Sequence, residues 1–345
     1  MHGRAVRGGT RRRRRGRHVL TRRGFVAGLA AGAAAGTTRA AAGQSLTVAE
    51  VHPGTYPTVA ALKWIDEQLD ARFAGELRLR VYHSGQLGSE KDTLELARIG
   101  ALAVTRVHSS VVNNAVPATR ILSLPYVFDS TEHMRRAFDG SFGDEILAAC
   151  ARRGLLGLAI YDSGSRNFYN TRRAVEAPSD LRGLKLRVPQ SDIFMESVAA
   201  LGASPTPLAY GTVFSSLQTH LIDGAENNWP SYVSSRHFEV ARYWSESQHA
   251  YAPDLLLMSQ RAADALPEEQ RAFLVATARR SVEIMRERWD VTVETSRRAA
   301  LDAGIEPRAV DTDAFRRAVQ PMLERHLRDA ETRRLYDELR GFAAA

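Results

Sequence analysis

Polar and apolar residues alternate strictly along Leu77-Arg78-Leu79-Arg80-Val81-Tyr82, the two-residue period of a strand with one buried face. The apolar run 46–51 predicts another strand before it. Between the two, Val59, Leu62, Ile65 and Leu69 recur at helical spacing and predict a helix over 58–73, so the opening is a β-α-β unit. The rhythm continues with a turn at 84–88, a helix over 90–99 and a short strand over 102–107. The run 121–128 is apolar but carries Pro125, which has no backbone N–H to donate, so it reads as an edge or crossover segment leading to a second half.

That half opens with a buried strand over 155–161. A turn follows at 179–183, then a strand over 184–188 ended by Pro189, and helices over 193–201 and 212–220. The stretch Asp223-Gly224-Ala225-Glu226-Asn227-Asn228-Trp229-Pro230 reads as a polar loop at a strand end. From 267 to 303, Leu274, Ala278, Val282, Met285, Trp289, Val293 and Ala300 keep helical spacing up to Gly304, predicting one helix of about 55 Å that can brace two lobes. No internal repeat or low-complexity tract interrupts the chain after residue 42.

The 345 residues are 44% hydrophobic and 25% charged, which excludes a disordered or collagen-like chain and suffices for two domains. A formal charge of +8 points to nucleic acid or an acidic membrane until it is divided along the chain. Eleven of the 47 basic residues are arginines within 1–42, where there is no acid, so beyond that stretch 36 bases face 39 acids and the body is net −3. Inside the stretch, arginines 11–15 and Arg17, then Thr21-Arg22-Arg23-Gly24-Phe25, precede an apolar run of small residues and Ala40-Ala41-Ala42. This order is that of a twin-arginine-like export signal cleaved near Ala42, and its apolar run is too short and glycine-rich to span about 30 Å of hydrocarbon. The rival is an arginine-rich arm for nucleic acid, which would not need the apolar run or the cleavage site. Cys150 is the single cysteine, so no internal disulfide forms, and its Ala-rich helical setting reads as a buried, inert thiol.

No nucleophile elbow, phosphate loop, Cys-x-x-Cys or His-Glu-x-x-His is present, and no catalytic residue, metal or cofactor is expected. Asp223 and Glu226 are two carboxylates close enough in sequence to hold a hard cation, but the plainer reading is a solvated or hydrogen-bonded pair. Arg166 follows a buried strand, and Arg187 sits among Leu184, Leu186 and Val188. A shielded guanidinium requires an anion, which is either a ligand carboxylate gripped by its rigid fork or an internal Asp or Glu that ties two strands together. Asn227 and Asn228 with Trp229 and Tyr232 are either a turn over packed aromatics or a set of amides and rings for a polyhydroxylated ligand, and Tyr210 carries the same two readings.

Four motifs in order decide among these readings: Gly85-Gln86-Leu87-Gly88, Leu124-Pro125-Tyr126-Val127-Phe128, Leu181-Arg182-Gly183-Leu184-Lys185-Leu186-Arg187-Val188-Pro189, and Leu217-Gln218-Thr219 with Asp223-Gly224-Ala225-Glu226-Asn227. Over nearly all of 45–340 the chain resembles the solute-binding proteins of tripartite ATP-independent periplasmic (TRAP) transporters. The resemblance implies an α/β, two-lobed periplasmic binding protein fold, with central sheets flanked by helices and a long bracing helix. It implies 1–42 as signal, 43–160 mainly as first lobe, 161–260 mainly as second, and 261–345 as the long helix and C-terminal helices crossing between them. Arg187 would pair with the ligand carboxylate. Arg166 would be a second anion contact, Asn227 a hydrogen-bond partner, Tyr210 a packing ring, Gln190 and Glu226 polar contacts, and His52 and His108 first-lobe candidates. The implied partners are an organic acid and the permease membrane subunits, with the receptor a periplasmic monomer that binds no nucleic acid. The segments 162–170 and 226–232 are similar to those of members that take sugar acids such as uronates, with C4-dicarboxylates as the alternative ligand and an exported sugar-acid enzyme as the alternative class. The chain departs from the usual pattern at Ala103, Thr212 and His220.

Overall fold

The computed structural model describes residues 43–343; the expected signal and its cleavage near Ala42 lie outside the described residues. In chain order the strands are β1 (Gln44–Ala49), β2 (Leu77–Tyr82), β3 (Val104–His108), β4 (Leu155–Tyr161), β5 (Arg166–Asn170), β6 (Lys185–Val188), β7 (Ser204–Pro207), β8 (Gly224–Asn227), β9 (Tyr243–Ala250), β10 (Asp254–Ser259) and β11 (Arg308–Ala309). They form two sheets, of order β2-β1-β3-β10-β4 and β11-β9-β5-β8-β6-β7. The helices are α1 (Pro57–Phe73), α2 (Glu90–Arg98), α3 (Ser109–Val112), α4 (Thr131–Asp139), α5 (Ser141–Ala149), α6 (Asp192–Ala200), α7 (Val213–Gln218), α8 (Trp229–Ser234), α9 (Gln260–Asp264), α10 (Glu268–Asp302), α11 (Thr312–His326) and α12 (Ala330–Gly341).

The opening β-α-β unit forms as its periodicity predicts: β1 pairs in parallel with β2, and α1 buries Val59, Leu62, Ile65 and Leu69. Pro57 starts α1 where the missing N–H costs nothing. Ser89 and Asp92 close a capping box on α2. The two sheets are linked by two neighbouring crossings, 162–165 between β4 and β5 and 251–253 between β9 and β10. On one side of the crossings Tyr161 pairs with Asp254, and on the other Arg166 pairs with Ala250. Gly164 lies in the first crossing at φ 60°, where a Cβ would come within 3.2 Å of the Trp289 ring.

The helix α10 is continuous over 35 residues, about 52 Å at 1.5 Å per residue. Its Leu274, Ala278, Met285 and Trp289 pack in the core of the first sheet, and Ala300 packs in a core of the second. It therefore braces both halves, as the spacing predicts. The shorter α11 does the same, with Phe315 and Val319 in one core and Met322 and Leu323 in the other.

The run 121–128 forms no strand, so of its two readings the edge strand drops out: a 3-10 helix over Pro117–Ser123 leads into an irregular segment, and Ile121, Leu122, Leu124, Val127 and Phe128 fill the core from several directions. One expectation changes. The stretch 223–230 is not a loop. Gly224–Asn227 is a fully buried central strand, and Trp229 begins a helix. Its polar side chains are tolerated because each finds a partner, as described below. One strand from the stretch 161–260, Asp254–Ser259, returns to the first sheet between β3 and β4.

Candidate functional site

The ends of both sheets meet around a cavity that is partly open to solvent. His52, Glu90, Arg106, His108 and Asp254 line it from the first sheet and its connections; Arg166, Arg187, Tyr210, Asn227 and Ser231 line it from the second. Strand alternation explains the placement, because a buried charged residue at a strand end can turn into the gap while its neighbours fill the core. Arg187 does this between Leu186 and Val188, both fully buried.

Arg187 is 4% exposed, and its Nε donates to the Leu208 carbonyl at 2.9 Å. Among the described residues no carboxylate lies within ion-pair distance of it, and its terminal N–H groups have no hydrogen-bond partner. Burial lowers its pKa, since the desolvated cation outweighs the attraction of more distant Glu226. The internal pairing that competed with a ligand role is therefore absent at this residue.

Arg166 is the reverse case. Its Nε and Nη2 donate to the Glu226 carboxylate at 2.5 and 2.8 Å, and Nη2 also donates to the Glu226 carbonyl at 3.0 Å. Nη1 donates to Asn227 Oδ1 at 3.2 Å and faces His108 Nε2 at the same distance. Nearly all its donors are spent inside the protein, although the residue also lines the cavity. Glu226, read from the resemblance as a polar contact, lies behind Arg166. Fully buried, between Arg166 and His249 at 3.5 Å, it does not line the cavity and serves as the counter-ion beneath. Burial raises the Glu226 pKa, but Arg166 more than reverses this and holds the acid below the usual range. Asp223 is committed elsewhere, to Arg172 Nε at 2.8 Å and the Lys185 N–H at 2.9 Å, so the two acids do not converge on one ion.

Asn227, Tyr210, His52 and His108 line the cavity, and Gln190 is not among the residues that line it. The His52 and Tyr210 rings approach to 5.1 Å from opposite halves. Burial, then Arg166 and Arg106, push His108 well below its ordinary pKa; its Nδ1 meets Ser110 and its Nε2 faces Arg166 Nη1 at the cavity. Trp229 and Tyr232 take the packing alternative: Trp229 stacks on Trp244 at 3.7 Å, and Tyr232 is fully buried with them. Asn228 is spent on capping α8 and donating to the Ser163 carbonyl. Cys150 is buried and its thiol is pushed up to about 12, as befits an inert packing residue.

Sequence reasoning missed Arg106. It is buried in β3 and contacts Glu50, Glu90 at 2.9 Å, Asp254 at 3.1 Å and His52 Nδ1 at 2.6 Å. Its signal was the one that marked Arg187, an arginine inside an apolar strand, here Val104-Thr105-Arg106-Val107. Burial raises Glu50, but Arg106 and His52 win and hold it well below the carboxylate range; burial dominates at Asp254 and pushes it to about 6.

Against known proteins, the sequence profile for bacterial extracellular solute-binding protein, family 7, matches residues 48–329. A solute-binding protein of Chromohalobacter salexigens is 36% identical over 280 residues, covering 81% of this chain and 83% of its own. Two solved TRAP periplasmic solute-binding proteins superpose with a TM-score of 0.84 over 86% of this chain and 99% of their own. One, from Bradyrhizobium sp. BTAi1, is 45% identical and holds α/β-D-galacturonate; the other, from Xanthobacter autotrophicus Py2, is 41% identical and holds β-D-galacturonate.

Proposed function

The chain belongs to family 7 of the bacterial extracellular solute-binding proteins, and from that premise we propose that it is the receptor of a TRAP transporter that captures a uronate and hands it to the membrane permease. One observation carries the reading: Arg187, buried in the cavity, has no carboxylate of its own. A guanidinium in that state is stabilised by a guest carboxylate that takes both ends of its fork. Asn227, His108, His52 and Ser231 offer amide, imidazole and hydroxyl groups to the ring hydroxyls, and Tyr210 covers an apolar ring face. With Arg166 committed to Glu226 and Arg106 to its own acids, Arg187 is the one unpaired cation among the described residues that line the cavity, which favours a single carboxylate over a C4-dicarboxylate.

The two halves pivot at 162–165 and 251–253, and the ligand bridges them. Its preference for the form in which both walls touch it shifts the population toward closure. The reading has the receptor act outside the cytoplasmic membrane as a monomer after losing residues 1–42, and it needs no chemical step. The test is thermal-shift and calorimetric titration of the purified protein with D-galacturonate, D-glucuronate and succinate. Stabilisation that grows with uronate concentration, and is absent with succinate, is expected. No response to either uronate at millimolar concentration overturns the reading.

A further inference from the structure

We infer that Asp254 and Glu90 form an acidic wall that sets which acids the cavity accepts: a sugar acid with one carboxylate enters with hydroxyls against this wall, and a sugar diacid of the same carbon skeleton is rejected. The inference rests on the uronate reading and adds a rule of exclusion to it.

Three carboxylates converge on one cation here. Arg106, with no exposed side-chain surface, is shared by Glu50, Glu90 and Asp254, and its Nε has no partner. One guanidinium cannot neutralise three acids, so the cluster keeps a surplus of negative charge. Glu50 lies beneath, taking up His52 and Thr58 as well as Arg106, whereas Glu90 and Asp254 reach the cavity surface. From the opposite sheet, Arg187 presents a cation that, among the described residues, has no carboxylate within ion-pair distance. The cavity is therefore polarised between its two walls.

A carboxylate accepts hydrogen bonds and donates none, so Asp254 and Glu90 are satisfied by ligand hydroxyls. A second ligand carboxylate in their place would bring like charges together away from water and leave acceptors facing acceptors. Specificity then comes from repulsion at one end as well as attraction at the other.

The experiment measures D-galacturonate and D-galactarate binding by calorimetry at pH 8, where Asp254 is ionised even after burial has pushed it to about 6. The proteins are the parent and the variants Asp254→Asn and Glu90→Gln, each of which keeps an oxygen acceptor for Arg106. Each substitution removes one negative charge from the wall, so galactarate affinity itself is expected to rise at least about tenfold in one or both variants, with no rise for galacturonate. Galactarate affinity that stays the same or falls in both variants overturns the inference, as does a parent that binds galactarate as tightly as galacturonate. Galacturonate binding by the parent keeps these outcomes apart from failure of the uronate reading; if the parent binds no uronate, both fall.

Discussion

The phenol oxygen of Tyr56 lies 2.9 Å from the Ser231 hydroxyl, joining residues 175 positions apart across the gap between the two sheets. Tyr56 precedes α1 on the first side, stacked on His52 at 3.9 Å, and Ser231 lies in α8 on the second. Under the proposed hinge closure, opening the halves would break this bond. Tyr56→Phe keeps the stack and removes the bond, which is worth about 0.5–1.5 kcal/mol. Uronate affinity should fall about 2- to 13-fold, mainly through faster dissociation in stopped-flow measurements. Unchanged dissociation would mean that this contact does not hold the closed form.

Arg187 and Arg166 line one cavity but should respond in opposite ways to mutation. Arg187→Ala removes a desolvated cation that no internal carboxylate balances, so stability without ligand should not fall, while uronate affinity falls at least about 100-fold. Arg187→Lys should also lose at least about tenfold, because an ammonium cannot replace a two-pronged fork. Calorimetry with urea unfolding of the ligand-free protein reads both. A large stability loss in Arg187→Ala would show that the side chain has a structural partner after all.

Glu226→Gln leaves Arg166 buried beside a neutral amide. Breaking a buried pair in this way costs about 3–5 kcal/mol, so the urea midpoint should drop strongly even without ligand. Reversed behaviour, with stability intact and only binding lost, would make Glu226 a ligand contact instead of the counter-ion of Arg166.

The parts of this molecule legible in its sequence are those whose partners lie in the same element. The helices α1 and α10 and the strands β2 and β4 carry their own period, and the bracing span of α10 follows from its length. By contrast β8, Gly-Ala-Glu-Asn, has no apolar alternation because its Glu226 is balanced by Arg166, 60 residues away on β5. A pair of buried charges erases the pattern by which a strand is recognised, and only the β5–β8 pairing restores it. The site divides on the same line. Arg187 stood out by its apolar neighbours, whereas choosing between a ligand and an internal acid required knowing which carboxylates approach it. Arg106 carried the same mark in β3 and passed unnoticed beside it.

Acid should loosen the second half through His237. This imidazole is 1% exposed, bonded at Nδ1 to the Tyr169 hydroxyl at 2.8 Å, and burial followed by the field of Arg187 pushes its pKa down to about 3. The unfolded chain takes up this proton near pH 6.5, so as pH falls from about 6.5 toward 3 it binds more protons than the folded protein. Stability is therefore lost across that window, by about 3 kcal/mol from this one group at pH 4.5. His108 and His249 are shifted in the same direction and add to the slope. His237→Gln keeps a partner for Tyr169 and removes the titration. It should be somewhat less stable than the parent at pH 7.5, through lost packing, yet lose about 3 kcal/mol less between pH 7.5 and 4.5 in urea unfolding. An identical pH slope in parent and variant would mean that His237 is protonated in the folded protein, with the Tyr169 hydroxyl accepting from it.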